Sequence, residues 1–184
     1  MRRRFALRRG GPTGRGQRRR IPPMLVRANE LLAAGEFSQA AVALEQVARG
    51  ADARGSRHAA RLYIEAGRAL ILSQQSARGM EMLAHGLTLM AQSRLPHRAS
   101  RVAARLSNEL RERGFEAEAE RLSSFLDSAM PAMAKTEVAP EPARRPPLPT
   151  HCPECGAPVR PDEVEWVDNF TAECDYCGSP VRGE

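Results

Sequence analysis

Four cysteines, all within residues 151–184, are the side chains whose type and spacing could do chemistry. They form two Cys-x-x-Cys pairs, Cys152 with Cys155 and Cys174 with Cys177, and eighteen residues separate the two pairs. Two such pairs across a gap of about 15–20 residues are typical of a tetrahedral metal site built from thiolates. We therefore predict one structural zinc ion bound by these four residues, with no open coordination position for catalysis.

Three other uses of the cysteines are weighed against zinc. Two disulfides would require an oxidising compartment, whereas the N-terminal residues lack the apolar segment of a secretory signal. A thioredoxin-like redox site would need one pair beside a βαβ unit, which the sequence does not predict. Iron in a rubredoxin-like site stays open as an alternative, because sulfur ligands by themselves do not distinguish iron from zinc.

The sequences around the two pairs, Cys-Pro-Glu-Cys-Gly at 152–156 and Cys-Asp-Tyr-Cys-Gly at 174–178, resemble the two knuckles of a zinc ribbon. We expect the glycine that ends each knuckle to have a positive φ, which glycine adopts without strain. The resemblance implies a small β module over residues 151–184. Such a short module buries too little apolar surface to fold alone, so metal binding is expected to stabilise it.

Alternating residues between the knuckles predict two strands. Val164 and Trp166 on the first segment, and Phe170 and Ala172 on the second, alternate with polar residues. An Asp-Asn pair at 168–169 predicts a two-residue hairpin turn between them. We expect the aromatic side chains of both strands to lie in the core of the module.

Residues 21–130 are rich in Ala, Leu, Arg and Glu and predict paired helices separated by short turns. The turn and helix start at 35–41, Gly-Glu-Phe-Ser-Gln-Ala-Ala, resemble the middle of a tetratricopeptide repeat, and Gly-Phe-Glu-Ala at 114–117 resembles it again. A weaker copy lies between them, with Gly67, Gly79 and Gly86 where the family prefers alanine at helix contacts. The copies begin near residues 21, 60 and 100, whereas the family repeat has about 34 residues.

The fold class predicted from these patterns is mostly α, with antiparallel helix pairs in a tetratricopeptide-like solenoid or bundle, plus a small β zinc-ribbon module. An ordinary six-helix bundle is the alternative. We divide the chain into an Arg-rich disordered tail at 1–20, a helical repeat domain at 21–130, a Pro-rich linker at 131–150 and the ribbon at 151–184. The proline-rich composition of the linker predicts two modules that reorient independently.

The resemblance to tetratricopeptide repeats implies a groove lined by the first helices of successive repeats, where a protein or peptide binds. If the repeat register holds, six residues would face that groove: Asn29, Arg61, Arg68, Arg101, Asn108 and Arg111. This mixture of cations and amides suits an acidic segment or a C-terminal carboxylate. The alternative is a solvated helix face whose arginines pair locally with Glu30, Glu65 and Glu112.

The charge distribution is strongly polarised along the chain. Residues 1–20 carry nine arginines and no acidic residue, whereas residues 151–184 carry eight acidic residues and two arginines. The tail could attract phosphate backbones, so a nucleic-acid-associated protein that uses tail and ribbon is the alternative function. The negative charge of the ribbon argues against phosphate contacts by that module.

The favoured function is a non-enzymatic zinc-binding adaptor whose helical repeats bind a protein partner, with an acidic segment as one candidate. The sequence contains no GxSxG, P-loop or HExxH motif. It also has no apolar run near the ~18 residues that a membrane helix requires. We expect cytoplasmic residence, whereas the partner, the process, the oligomeric state and the choice between Met1 and Met24 as the start are left open.

Overall fold

The computed structural model describes residues 21–93, 97–129 and 145–183, and within them it contains six helices and three short strands. The helices are α1 Pro23–Ala33, α2 Phe37–Asp52, α3 Ala59–Leu72, α4 Ser76–Ala91, α5 His97–Glu112 and α6 Glu116–Ala129. The strands are β1 Glu165–Trp166, β2 Thr171–Glu173 and β3 Pro180–Arg182. The predicted basic tail and most of the predicted linker lie outside the described residues. None of the helices described is long and apolar enough to cross a membrane.

Local chemistry accounts for the starts of two helices. Pro22 and Pro23 open α1, where the N–H that proline lacks would have no partner within the helix. Glu116 and Glu118 lie in the first turn of α6, where carboxylates interact favourably with the helix dipole. Both helices therefore begin where the sequence favours a helix start.

Three turns of the same kind join α1 to α2, α3 to α4 and α5 to α6. In each turn a backbone N–H donates to the carbonyl five residues earlier, which closes the end of the first helix. These bonds run from Glu36 to Leu31, from Gln75 to Leu70 and from Phe115 to Leu110, at 2.8–2.9 Å. The residue before each donor has a positive φ, 77° at Gly35, 67° at Gln74 and 83° at Gly114. Two of these positive-φ positions hold glycine and the third holds Gln74, which explains why the middle copy was weak in the sequence.

Helix α3 lies at the centre of the fold, and twelve of its fourteen residues are buried. It meets α4 through glycines that bring the two backbones into contact. A Cβ placed on Gly67 would lie 2.6 Å from the carbonyl oxygen of Gly79, and one on Gly86 would lie 2.7 Å from that of Ala60. The glycines of the weak copy are therefore required by close packing of α3 on α4.

Two hydrophobic clusters meet at α3. One lies among α3, α4, α5 and α6, and it includes Leu83, Leu87 and Leu106. The other lies among α1, α2 and α3, and it also contains the four cysteines together with Tyr176 and Val181. The C-terminal module, residues 151–183, thus shares a core with the helices. The expectation that the two parts reorient independently is wrong, because the cysteine loops are buried against α1 and α3.

The C-terminal module contains a three-stranded antiparallel sheet in the order β1-β2-β3. The two predicted strands are present, and Trp166 pairs with Ala172 across them. The third strand was not predicted; its Val181 pairs with Ala172, and both side chains are buried. The two-residue turn is wrong: the Val167 N–H donates to Thr171 O at 2.8 Å, so three residues, 168–170, form the reversal.

The expected burial pattern of the first hairpin is also wrong at both ends. Phe170 is 65% exposed and Val167 is 66% exposed, because the hairpin tip extends beyond the small core made by β2 and β3. Glu163, expected on the polar side, is only 3% exposed. Its carboxylate is buried because it faces arginines of the helices.

Candidate metal centre

Two loops of equivalent geometry carry the cysteines. In the first, the Gly156 N–H donates to the carbonyl of Cys152 at 2.9 Å, and in the second the Gly178 N–H donates to that of Cys174 at 2.9 Å. The φ angles are 73° at Gly156 and 76° at Gly178, so the predicted positive φ is confirmed. We call these segments, 152–156 and 174–178, the metal loops.

The loops bring all four thiols together. Cys152, Cys155, Cys174 and Cys177 are buried, and their sulfur atoms all lie within 4.8 Å of one another. The Sγ atoms of Cys152 and Cys177 are 3.8 Å apart, as are those of Cys155 and Cys174. A tetrahedron with Zn–S bonds of about 2.3 Å would place its sulfurs about 3.8 Å apart. The cluster therefore has the size and donor set of a four-thiolate metal site.

Hydrogen bonds among the four sulfurs shift the pKa values of the cysteines in opposite directions. The pKa of Cys152 is lowered well below its usual range by hydrogen bonds from the thiols of Cys155, Cys174 and Cys177, with a further contribution from the backbone N–H of Glu154. The same sharing raises the pKa of Cys155, which keeps its proton. Four thiols this close compete for charge, and a bound divalent cation would allow all of them to ionise.

Both metal loops contact the helices directly. The Asn29 amide on α1, which is 5% exposed, donates to the carbonyl oxygen of Cys155 at 2.7 Å. Nδ1 of His58, immediately before α3, lies 3.0 Å from the carbonyl oxygen of Asp175, so the ring donates from that nitrogen. The segments that position the thiols are therefore the ones seated on the helices.

A buried polar cluster centres on Tyr176, inside the second metal loop. Its hydroxyl donates to Glu65 Oε1 at 2.9 Å and accepts a hydrogen bond from Arg61 Nε at 3.0 Å. Arg61 also forms an ion pair with Glu163 at 2.9 Å, and both side chains are almost fully buried. The module thus inserts a phenol and a carboxylate beside a buried arginine.

The directions of the pKa shifts agree with an ionised Glu65 beside a neutral Tyr176. Burial opposes ionisation of Glu65, yet the charges of Arg61 and Arg68 and the hydrogen bond from Tyr176 outweigh it, so the pKa of Glu65 is lowered. Burial raises the pKa of Tyr176, which remains a neutral donor and acceptor. Burial likewise raises the pKa of Asp175, although the charge of Arg98 opposes that shift.

Further arginines surround this cluster. Arg105 on α5 donates to the same Glu163 at 2.5 Å. Arg98 pairs with Asp175, and Arg57 pairs with Glu165 at 2.8 Å and with Glu173. We call the residues of the helical region and its turns that make these contacts the docking face: Asn29, Arg57, His58, Arg61, Glu65, Arg98 and Arg105.

The six residues predicted to line a partner groove divide into two sets. Asn29 and Arg61 contact the C-terminal module, and Arg68 donates to Glu109 at 2.8 Å beside them. The other three lie exposed along α5: Arg101, Asn108 and Arg111. The binding of another protein by these residues stays a prediction.

Sequence reasoning missed several contributors to the docking face. Arg98 and Arg105 are seven residues apart and fall on one side of α5, whereas Arg57 lies in the turn before α3. The basic pair on α5 could have been found in the sequence. On the C-terminal module, the residues that meet this face include Tyr176 and Glu163. No local sequence pattern marks either residue as buried.

Comparison with protein-family models finds no match for this chain, and comparisons with curated proteins and with solved structures find none either. The fold and site define a mostly helical protein with a small antiparallel sheet and a cysteine cluster that could bind a metal ion. The predicted contact with nucleic acid falls on residues 1–20, outside the described part of the chain.

Proposed function

We propose that this protein is a non-enzymatic zinc-binding adaptor whose docking face recognises acidic chain segments. The observation that carries the proposal is the C-terminal module seated on that face, with Glu163 between Arg61 and Arg105. A surface that already holds carboxylates within one chain has the chemistry to hold those of another protein.

Zinc is the metal that the site supports best. The donors are four sulfurs at tetrahedral spacing, and structural zinc sites are commonly of this kind. With all four positions filled by protein, the ion would have a structural role and would leave no position for substrate. The metal would fix the loops that present Asp175 and Tyr176 to the helices.

The adaptor role rests on the chemistry of the docking face. Arginine guanidinium groups suit planar recognition of carboxylates, and such charge-assisted bonds are stronger than neutral ones. Tyr176 adds an aromatic group that the docking face contacts in two ways. The Arg61 guanidinium lies 5.2 Å from the ring centroid, and the hydroxyl is hydrogen-bonded to Arg61 and Glu65. The resemblance of the helix turns to tetratricopeptide repeats supports the same role, because that family binds peptides on its first helices.

The metal assignment is tested by elemental analysis of the purified full-length protein. We expect one zinc per chain, and less than half of that in Cys155→Ser. His151→Ala is the matched control, because His151 precedes Cys152 yet lies outside the thiol cluster, and it should keep its zinc. Iron in place of zinc, or equal zinc in both variants, would contradict the assignment.

The adaptor role is tested by fluorescence anisotropy with a fluorescein-labelled random copolymer of glutamate and tyrosine. Binding should be measured in zinc-loaded and in metal-free full-length protein. Arg105→Gln is expected to weaken binding, whereas Arg121→Gln on the exposed side of α6 should not. No binding in either metal state would rule out the adaptor proposal.

A further inference from the structure

We infer that metal occupancy controls access to the docking face: the metal-bound module covers it, and loss of the metal opens it to an acidic, tyrosine-containing segment of another protein. This inference rests on the proposed function and adds its regulation. It joins two observations that are independent of each other, the geometry of the thiol cluster and the contacts of the metal loops with α1 and α3.

The first step is that metal binding and docking use the same loops. The carbonyl of Cys155 accepts from Asn29, and the carbonyl of Asp175 accepts from His58. The conformations that aim these carbonyls at the helices are the ones that gather the four sulfurs. A change in the loops on metal loss would therefore disrupt both contacts at once.

The second step is that the module has little folded structure of its own to persist without metal. Its three strands contain two or three residues each, and the hairpin tip leaves Val167 and Phe170 exposed. A module of this size buries too little apolar surface to remain folded unaided. Apo forms of comparable small zinc modules are commonly unfolded.

The third step is that the helices keep a core of their own. The cluster among α3, α4, α5 and α6 contains no residue of the C-terminal module. The close backbone contact at Gly67 and Gly86 also lies wholly between helices. Release of the module would thus leave a folded helical surface with its arginines exposed.

The fourth step identifies the ligand. Release of the module would remove Glu163 from Arg61 and Arg105, and Asp175 from Arg98. The arginines exposed on the opened face would offer guanidinium groups that pair with carboxylates, so this face favours a new carboxylate-bearing segment. The module shows the preferred form, an acid followed directly by tyrosine, because Asp175 and Tyr176 occupy adjacent subsites on α5 and α3.

The test compares the full-length protein in zinc-loaded form and after chelation and dialysis under reducing conditions. The probe is the fluorescein-labelled copolymer of glutamate and tyrosine, followed by anisotropy. We expect at least about tenfold tighter binding to the metal-free protein, a typical size for coupling between two sites, with reversal when zinc is restored. Fluorescence of Trp166, the single tryptophan, reports release of the module separately.

Two variants separate the metal from the docking contacts. Tyr176→Phe keeps all four cysteines but loses the hydroxyl bonds to Arg61 and Glu65, so its zinc-loaded form should bind the probe more tightly than the zinc-loaded parent. Arg105→Gln should weaken binding in the metal-free state, and Arg121→Gln should leave it unchanged.

The outcomes are distinct. Equal binding in both metal states overturns the gating inference while the adaptor proposal survives. Binding in neither state overturns the adaptor proposal and the inference together. Loss of the helical circular dichroism signal on chelation also overturns the inference, since it requires a docking face that persists without metal.

Discussion

Two of the surfaces against which helix α3 packs, on α4 and on the C-terminal module, are opposite in character. Toward α4 it presents Gly67 and Ile71, and contact is made by backbone and aliphatic side chains. Toward the C-terminal module it presents Arg61 and Glu65, both about 4% exposed, which meet Tyr176 and Glu163. One helix thus forms an apolar interface on one side and a charged interface on the other.

The two interfaces differ in what each needs in order to be stable. The apolar contact gains free energy from removing surface from water and needs no external component. Buried ion pairs gain little net stability because desolvation offsets their attraction, but they strongly disfavour any arrangement that leaves one partner unpaired. The helix pair is therefore a permanent contact, whereas the module contact depends on a folded, metal-bound partner.

The largest effect is expected from loss of the metal, which would remove the C-terminal module from the charged interface. Cys174→Ser should abolish zinc binding and unfold the module, since structural zinc contributes on the order of 10 kcal/mol in such sites. Because the module shares a core with α1–α3, the melting temperature of the helices should also fall, by roughly 10 °C for a loss of about 2 kcal/mol. Thermal melts followed at 222 nm measure this.

The control for that experiment is His151→Ala, which should melt like the parent. An unchanged helical transition in Cys174→Ser would contradict the shared core. It would restore the view, drawn from the proline-rich linker, that the two parts are energetically independent.

The second effect separates charge from packing within the same interface. Glu163→Gln keeps the shape of the side chain but leaves Arg61 and Arg105 with one carboxylate fewer, which should cost about 3 kcal/mol. Adding Arg61→Met should recover part of that loss, because an apolar side chain requires no partner. Urea unfolding of the two single variants and the double variant gives the coupling energy, and simple additivity would contradict a direct pair.

The third effect concerns the apolar interface between α3 and α4. Gly67→Ala adds a Cβ 2.6 Å from the Gly79 carbonyl oxygen, so the helices must separate, at a cost of about 1–3 kcal/mol. The matched control is Gly50→Ala on α2, where the nearest atom, at 3.3 Å, belongs to the flexible side chain of Arg54. That change should be neutral or stabilising by up to about 1 kcal/mol, because alanine favours helices. Equal effects would mean that close packing does not explain Gly67.

These two interfaces also show how far the sequence could predict the molecule. The cysteine spacing, the turn glycines Gly35 and Gly114 and the helical region are local signals, and the structure agrees with them. The contact between Glu163 and Arg105 joins residues 58 positions apart, so no local period marks it. The alternating pattern therefore assigned Glu163 to the solvent side, and the strand at Pro180–Arg182 was too short to be recognised.

The middle turn was missed for a different reason, and it supplies the smallest effect. Gln74 adopts φ 67° in the same hydrogen-bonded turn in which Gly35 adopts φ 77°. The left-handed conformation costs a residue with a Cβ about 1 kcal/mol, and glycine avoids that cost. The sequence pattern looks for glycine, so it fails where the fold tolerates this strain.

A reciprocal exchange tests that explanation. Gln74→Gly should raise the free energy of unfolding by up to about 1 kcal/mol, and Gly35→Gln should lower it by about the same amount. A Cβ at Gly35 would meet no atom within 4 Å, so the expected loss comes from backbone conformation and not from a clash. Urea unfolding of both variants measures the pair. If both variants changed the free energy of unfolding in the same direction, the two turns would not be equivalent. The 39-residue spacing between Gly35 and Gln74 would then not mark a repeat.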